Sequence, residues 1–160
     1  MIQLLAGVLD VTGAFLQGEF DSDEEQTCMT VPDGLEEHYE KNVLLKLLAP
    51  IYGLRNASMA FNKKLKRCMN EIGCERSLAD PCSYFACASR LMIWLTWIDN
   101  CLNCDKQEDV KHFKDELMIK LDCEDTGELK EHVGCKIERK GNGVKLTQHV
   151  IVQSLQMKSI

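Results

Sequence analysis

Apolar residues fall in short blocks along this chain, and the spacing inside each block separates strands from helices. Leu4 to Leu9 is an apolar run that stops at Asp10, the pattern of a buried strand feeding a turn. Thr27 to Val31 and Val43 to Leu48 are short strand candidates, and Pro32-Asp33-Gly34 between them signals a turn. Ser83 to Ala88 and Leu91 to Ile98 are apolar strands joined at Ser89-Arg90, and Cys101 to Cys104 continues as another strand after Asp99-Asn100. Two blocks have the helical period instead. Over Asn56 to Ile72, the residues Phe61, Leu65, Cys68, Met69 and Ile72 recur at helical steps, and Gly73 closes the run. Over Asp105 to Leu121 the stripe is Val110, Phe113, Leu117 and Leu121, and Asp105 with Glu108 has the form of a capping box. Cys135 to Arg139 and Val144 to Thr147 flank Lys140-Gly141-Asn142-Gly143, a hairpin turn, and His149 to Met157 reads as a last helix. Strands mixed with two long helices predict an α+β fold, and 160 residues suit one domain with a real core.

Composition narrows the class. No apolar run approaches the ~20 residues a membrane span needs, and the first residues lack the basic flank and cleavage site of a signal peptide. The nine cysteines are scattered through apolar segments and odd in number, so buried thiols in a reducing, intracellular setting are expected rather than a disulfide scaffold. Cys101-Leu102-Asn103-Cys104 is a lone C-x-x-C without the second pair a zinc site requires, and no zinc is expected. The net charge of -6 speaks against nucleic-acid binding if taken globally, but the charges are segregated. Glu19 to Glu40 holds nine acids and no Lys or Arg, whereas Lys41 to Arg90 holds nine basic residues against three acids. The basic segment suits phosphate, or is the solvated face of a helix; charge alone favours the second.

Two acids carry candidate chemistry. Asp10 ends the first apolar strand, and Asp99 sits between apolar strands. A carboxylate buried there is costly unless a cation or hydrogen bonds compensate. Two of them brought together would make an oxygen site suited to Mg²⁺. The residue types leave a plainer reading open, in which Asp10 caps a turn and Asp99-Asn100 is a hairpin turn.

Six segments, in order, bear a family resemblance. Asp10-Val11-x-x-Ala14-Phe15-Leu16-x-Gly18 resembles the first polymerase motif of Ty1/copia retrotransposon reverse transcriptases. Ile51-Tyr52-Gly53-Leu54-Arg55-Asn56-Ala57 resembles their LYGLKQA segment, and Arg76-Ser77-x-Ala79-Asp80-Pro81-Cys82-x-Tyr84 their RSxADPCxY stretch. Trp97-Ile98-Asp99-Asn100 stands in the place of the YVDD hairpin. Thr126-Gly127-Glu128-Leu129 with Val133-Gly134-Cys135-Lys136-Ile137-Glu138-Arg139 is similar to LGELKxxLGIEIxR, and Leu146-Thr147-Gln148 to LSQ.

The resemblance implies a reverse-transcriptase palm of antiparallel strands backed by helices, spanning about residues 4–148, with partial fingers. It implies RNA-directed DNA polymerase activity within a retrotransposon polyprotein, with template–primer and deoxynucleotide as partners and no membrane. Asp10 and Asp99 would be ligands of two Mg²⁺ ions. Phe15 would be the bulky gate that meets a ribose 2′-hydroxyl. The plainer alternative for that ring is a core aromatic. Gly53 would let the backbone approach template or nucleotide, Arg55 would face phosphate where the family has Lys, and the Val133-Gly134 turn would lie near the primer terminus. The departures are as informative. Asn100 replaces the second hairpin Asp, so a charge is missing at the catalytic position; Glu124 stands where many relatives have Lys; Asn56 and Ser58 replace Gln and Pro. With nine residues ahead of Asp10, and no RNase H or integrase part, the expectation is a fragment or decayed copy: a weak polymerase, or a relic that at most binds nucleic acid or a partner chain.

Overall fold

The computed structural model describes residues 5–20, 27–87, 91–105, 107–140, 143–148, 151–152 and 154. Among these residues the elements follow one another as β1 (Leu5–Val11), β2 (Cys28–Thr30), β3 (Leu44–Lys46), α1 (Ala57–Glu71), β4 (Glu75–Arg76), β5 (Ser83–Cys87), β6 (Leu91–Trp97), β7 (Asn100–Asp105), α2 (Gln107–Lys120), β8 (Cys123–Glu128), β9 (Glu131–His132), β10 (Cys135–Lys140) and β11 (Gly143–Thr147), with short 3-10 turns at Ala14–Gln17 and Glu36–His38. The α+β expectation holds. The main sheet has the order β4-β5-β6-β7-β1-β8, and all its pairs are antiparallel. A three-stranded sheet, β11-β10-β9, and the pair β2-β3 stand apart from it in hydrogen bonding. The expected turn residues Ser89-Arg90 and Gly141-Asn142, the side chains of the Asp105–Glu108 box, and most of the expected last helix lie outside the described residues.

The main sheet buries one face under the two helices. In β6, Met92, Trp94 and Thr96 point inward, while Ile93, Leu95 and Trp97 are 36%, 44% and 53% exposed. That is the strict alternation of a pleated strand, hidden in the sequence because both faces are apolar. Against the inward face α1 sets Phe61, Leu65, Cys68 and Met69, and α2 sets Val110 and Leu117, with Leu121 just past its end, the stripes their spacing predicts. Helix α1 ends in a Schellman motif: Gly73, at φ 85°, donates to the Asn70 carbonyl, and Cys74 donates to that of Met69. No helix among the described residues is long and apolar enough to cross a membrane.

One acid of the acidic segment is paired with the basic helix, and a second ion pair links the two helices. Arg67 donates two hydrogen bonds to Glu19 and Lys64 lies 3.4 Å from it, while Lys120 reaches Glu71 at 2.7 Å. The Glu19 carboxyl is held below its usual range, chiefly by the Arg67 hydrogen bonds. Part of the basic segment is thus a paired helix face.

One ion pair is more buried. Lys114 of α2 is 8% exposed, and its ammonium donates to Asp125 of β8 at 2.6 Å, beside the buried Asn103 of β7. Gly7 fits here because a Cβ would stand 2.8 Å from the Lys114 Nζ. Partial burial works to raise the Asp125 carboxyl, but Lys114 and the Gly127 N–H outweigh it and hold the group below its ordinary range. Asp125→Asn strands a buried ammonium; because Asp125 is partly exposed, the expected cost is about 2 kcal/mol in urea unfolding at pH 7, below that of a fully buried pair. A depressed carboxyl stabilises above its unfolded pKa. The gap between wild type and variant is therefore full above pH ~4 and closes as pH falls through the folded value. An equal gap at pH 7 and pH 3 would count against the pair.

Candidate active site

The two acidic residues singled out in the sequence lie at the same end of the main sheet. Asp10 lies within β1, not in the turn after it, and is the register partner of Asn100 on β7. The Val11 N–H donates to the Asp99 carbonyl at 2.8 Å, so the hairpin tip is tied to the same strand. Trp97 pairs with Asn100, which makes Ile98 and Asp99 the two turn residues; the turn sits one residue earlier than the sequence suggests because Asn100 already belongs to β7. Ile98 has φ 55°, a left-handed conformation that a β-branched residue adopts only under strain.

Both carboxylates act on a shared neighbour. Cys101, fully buried, has its thiol pushed up to about 12, first by burial and then by Cys123, Asp99 and Asp10. Asp10 and Asp99 are half-buried. The Asn100 amide donates to Asp99 Oδ1 at 2.7 Å, whereas Asp10 takes no hydrogen bond or ion pair among the described residues. Glu124 is the register partner of Asp10 on the other side, on β8, so the sheet aligns Glu124, Asp10 and Asn100 in one row. Paired positions in register project to the same face.

The donor set is all oxygen, as a hard dication requires. Among the described residues no group of three or more His, Cys, Asp or Glu converges on a closed metal site.

The first motif also has a structural logic. After β1, Gly13 turns the chain at φ 54° into the Ala14–Gln17 turn, which packs on α1. Gly18 permits that approach, since a Cβ would stand 3.0 Å from the Phe61 nitrogen and 3.2 Å from Pro50. Gln17 stitches the loop down: its amide donates to the carbonyls of Thr12 and Asp122 at 2.7 and 2.8 Å, and its Oε1 accepts from the Asp122 N–H. Phe15 is half-buried against the core, and its ring centroid lies 4.9 Å from that of Tyr52. Beside it a cleft of about 210 Å³ is walled by Phe15, Phe61, Leu65 and Ile98, with Ser58 and Asn62 at its polar margin. Gly53 is exposed at φ 95°, with nothing within 4 Å of a built Cβ. Arg55 is exposed and makes no hydrogen bond or ion pair among the described residues. Gly134, at φ 71°, lies on the separate β9–β10 turn; no backbone pairing joins it to the Asp10–Asp99 edge.

Comparison with known proteins shows the family. A profile described as reverse transcriptase (RNA-dependent DNA polymerase) matches residues 4–159. The chain belongs to that family. It is 31% identical over 141 residues to the retrovirus-related Pol polyprotein from transposon TNT 1-94 of Nicotiana tabacum, covering 86% of this chain and 10% of that protein. It is 27% identical over 149 residues to the Pol polyprotein from transposon RE1 of Arabidopsis thaliana, covering 92% of the chain and 10% of that protein. The corresponding RE2 polyprotein of the same plant is 26% identical over 142 residues, with 88% and 10% covered. These matches make it a copia-type reverse transcriptase domain. The chain spans about a tenth of the length of the curated relatives it matches.

Gln17 and Tyr52 escaped the sequence reading as neighbours of the site, and Glu124, noted there as a departure from the family pattern, was not placed beside Asp10. Glu124 lies in β8, an exposed polar strand with no alternating pattern to reveal it. The other two act through contacts between segments distant in sequence.

Proposed function

We propose that this chain is the palm of an RNA-directed DNA polymerase that adds deoxynucleotides by two-metal nucleotidyl transfer, and that Asn100 impairs it. The observation that carries the reading is the register of β1 with β7, which sets Asp10 beside Asn100 and ties Val11 to Asp99. Asp10 and Asp99 would hold the Mg²⁺ ions. When bound, Mg²⁺ lowers the pKa of a coordinated hydroxyl and neutralises charge on the phosphate oxygens. The residues do the rest. Asp10 presents a carboxylate with no competing partner among the described residues. The strained Ile98 turn fixes Asp99 before substrate arrives. Phe15 stands where a ribose 2′-hydroxyl would collide with its ring, Arg55 offers an exposed guanidinium to phosphate, Gly53 leaves open space for template or nucleotide, and Gly134 supports the primer.

Asn100 weakens the site in two ways. It brings a neutral oxygen where a charge would bind a cation, and its amide already engages Asp99 Oδ1. That bond favours a second reading, a folded relic that binds nucleic acid or a partner chain without turnover.

Primer extension on a ribonucleotide template in Mg²⁺ separates the two. Slow, templated incorporation is expected, with Asp10→Asn lowering it by about 10²-fold or more. No extension, or extension indifferent to Asp10→Asn, would sink the polymerase reading.

A further inference from the structure

A steric gate discriminates only if it cannot step aside, and the surroundings of Phe15 leave it somewhere to go. One side of the ring meets Tyr52 at 4.9 Å between centroids, with the planes tilted by 45°. The ring also borders the 210 Å³ cleft toward Phe61, Leu65 and Ile98. An apolar cavity of ~150 Å³ accepts a benzene molecule, so a space of this size can take a displaced phenyl ring. The cleft wall itself does not hold Phe15 forward; the neighbour on the open side must.

Tyr52 is built to be that neighbour. It is 58% exposed, so burial does not account for its position. It sits in a tight turn in which the Leu54 N–H donates to the Ile51 carbonyl at 3.2 Å and Gly53 takes φ 95°. This is the type II pattern, in which the third residue needs a positive φ and is usually Gly. The turn leads directly into α1, whose Phe61 and Leu65 wall the cleft. The I-Y-G-L stretch thus presents one aromatic face to Phe15 from a rigid mount.

We propose that Tyr52 is a positioning residue for specificity: its ring braces Phe15 against the sugar of the incoming nucleotide and sets the preference for deoxyribose over ribose. This rests on Phe15 being the sugar gate. Tyr52 itself touches no reacting atom.

The test is equilibrium binding of dGTP and GTP to the chain with a ribonucleotide template and a DNA primer in Mg²⁺, which needs no turnover. Tyr52→Ala is expected to lower the ratio of GTP to dGTP dissociation constants roughly threefold to tenfold, the scale of one aromatic pair, mainly by tightening GTP. Tyr52→Phe keeps the ring and should keep the ratio. Gly53→Ala strains the turn without removing the ring and should act as Tyr52→Ala does. Phe15→Ala should abolish the preference, and Tyr52→Ala should then add nothing, because the two act as one unit. If Phe15→Ala lowers the ratio and Tyr52→Ala does not, the brace is wrong while the gate stands. If Phe15→Ala leaves the ratio unchanged, or neither nucleotide binds, the gate reading falls and the brace with it.

Discussion

An Asn100→Asp chain will extend a primer about a hundredfold faster than the wild-type chain in Mg²⁺, the effect of roughly 3 kcal/mol of electrostatic stabilisation at the transition state. The expectation comes from register. Residue 100 is the cross-strand partner of Asp10 and the sequence neighbour of Asp99, so a carboxylate there joins two others at one end of the sheet. Without a cation the three repel, and the hydrogen bond from Asn100 Nδ2 to Asp99 is lost. The variant should therefore be less stable than wild type in EDTA and gain more thermal stability from added Mg²⁺. It should also reach half-maximal rate at a lower Mg²⁺ concentration. An unchanged rate together with an unchanged Mg²⁺ response would show that residue 100 does not limit the site.

Trp94→Ala will cost about 3–5 kcal/mol of folding stability, whereas Trp97→Ala, three residues along the same strand, will cost less than about 1 kcal/mol. Trp94 is fully buried, pairs across the sheet with the equally buried Tyr84, and donates its indole N–H to Met92 Sδ at 3.1 Å. No small rearrangement of the helices can refill that volume. Trp97 is 53% exposed on the opposite face. For a domain of this size the first change corresponds to a fall of ~10 °C or more in the melting temperature. Circular dichroism melts measure both. Equal losses would mean that the faces of β6 are reversed, and with them the side of the sheet on which Asp10 stands.

The strands and helices that bury apolar surface were legible from periodicity alone. The stripe Phe61-Leu65-Cys68-Met69 marks α1, and the runs at Leu4 and Leu91 mark the strands that carry Asp10 and lead to Asp99. What pattern could not show were elements that bury little. Strand β8 reads Cys-Glu-Asp-Thr-Gly-Glu and is exposed beyond its first residue, yet it pairs with β1 and sets Glu124 beside Asp10. The turn at Ile98-Asp99 was placed one residue late because Asp and Asn favour turns, while here pairing of Trp97 with Asn100 forces an isoleucine into a left-handed conformation. At the site, Asp10, Asp99 and Phe15 stood out through the family resemblance. Tyr52 and Gln17 depend on contacts across 37 and 105 positions, which a linear pattern does not encode.

The strand that carries Asp10 is locked by Leu9 and Val11, both sealed under the helices, and a slip of one position would turn Asp10 inward. Asparagine and aspartate have nearly the same shape, so this frame accepts either at residue 100. The fold itself does not depend on which of the two stands there, although the charge does change its stability without a cation. A chain with asparagine at residue 100 therefore keeps its fold, and a folded chain escapes the proteases that clear misfolded ones.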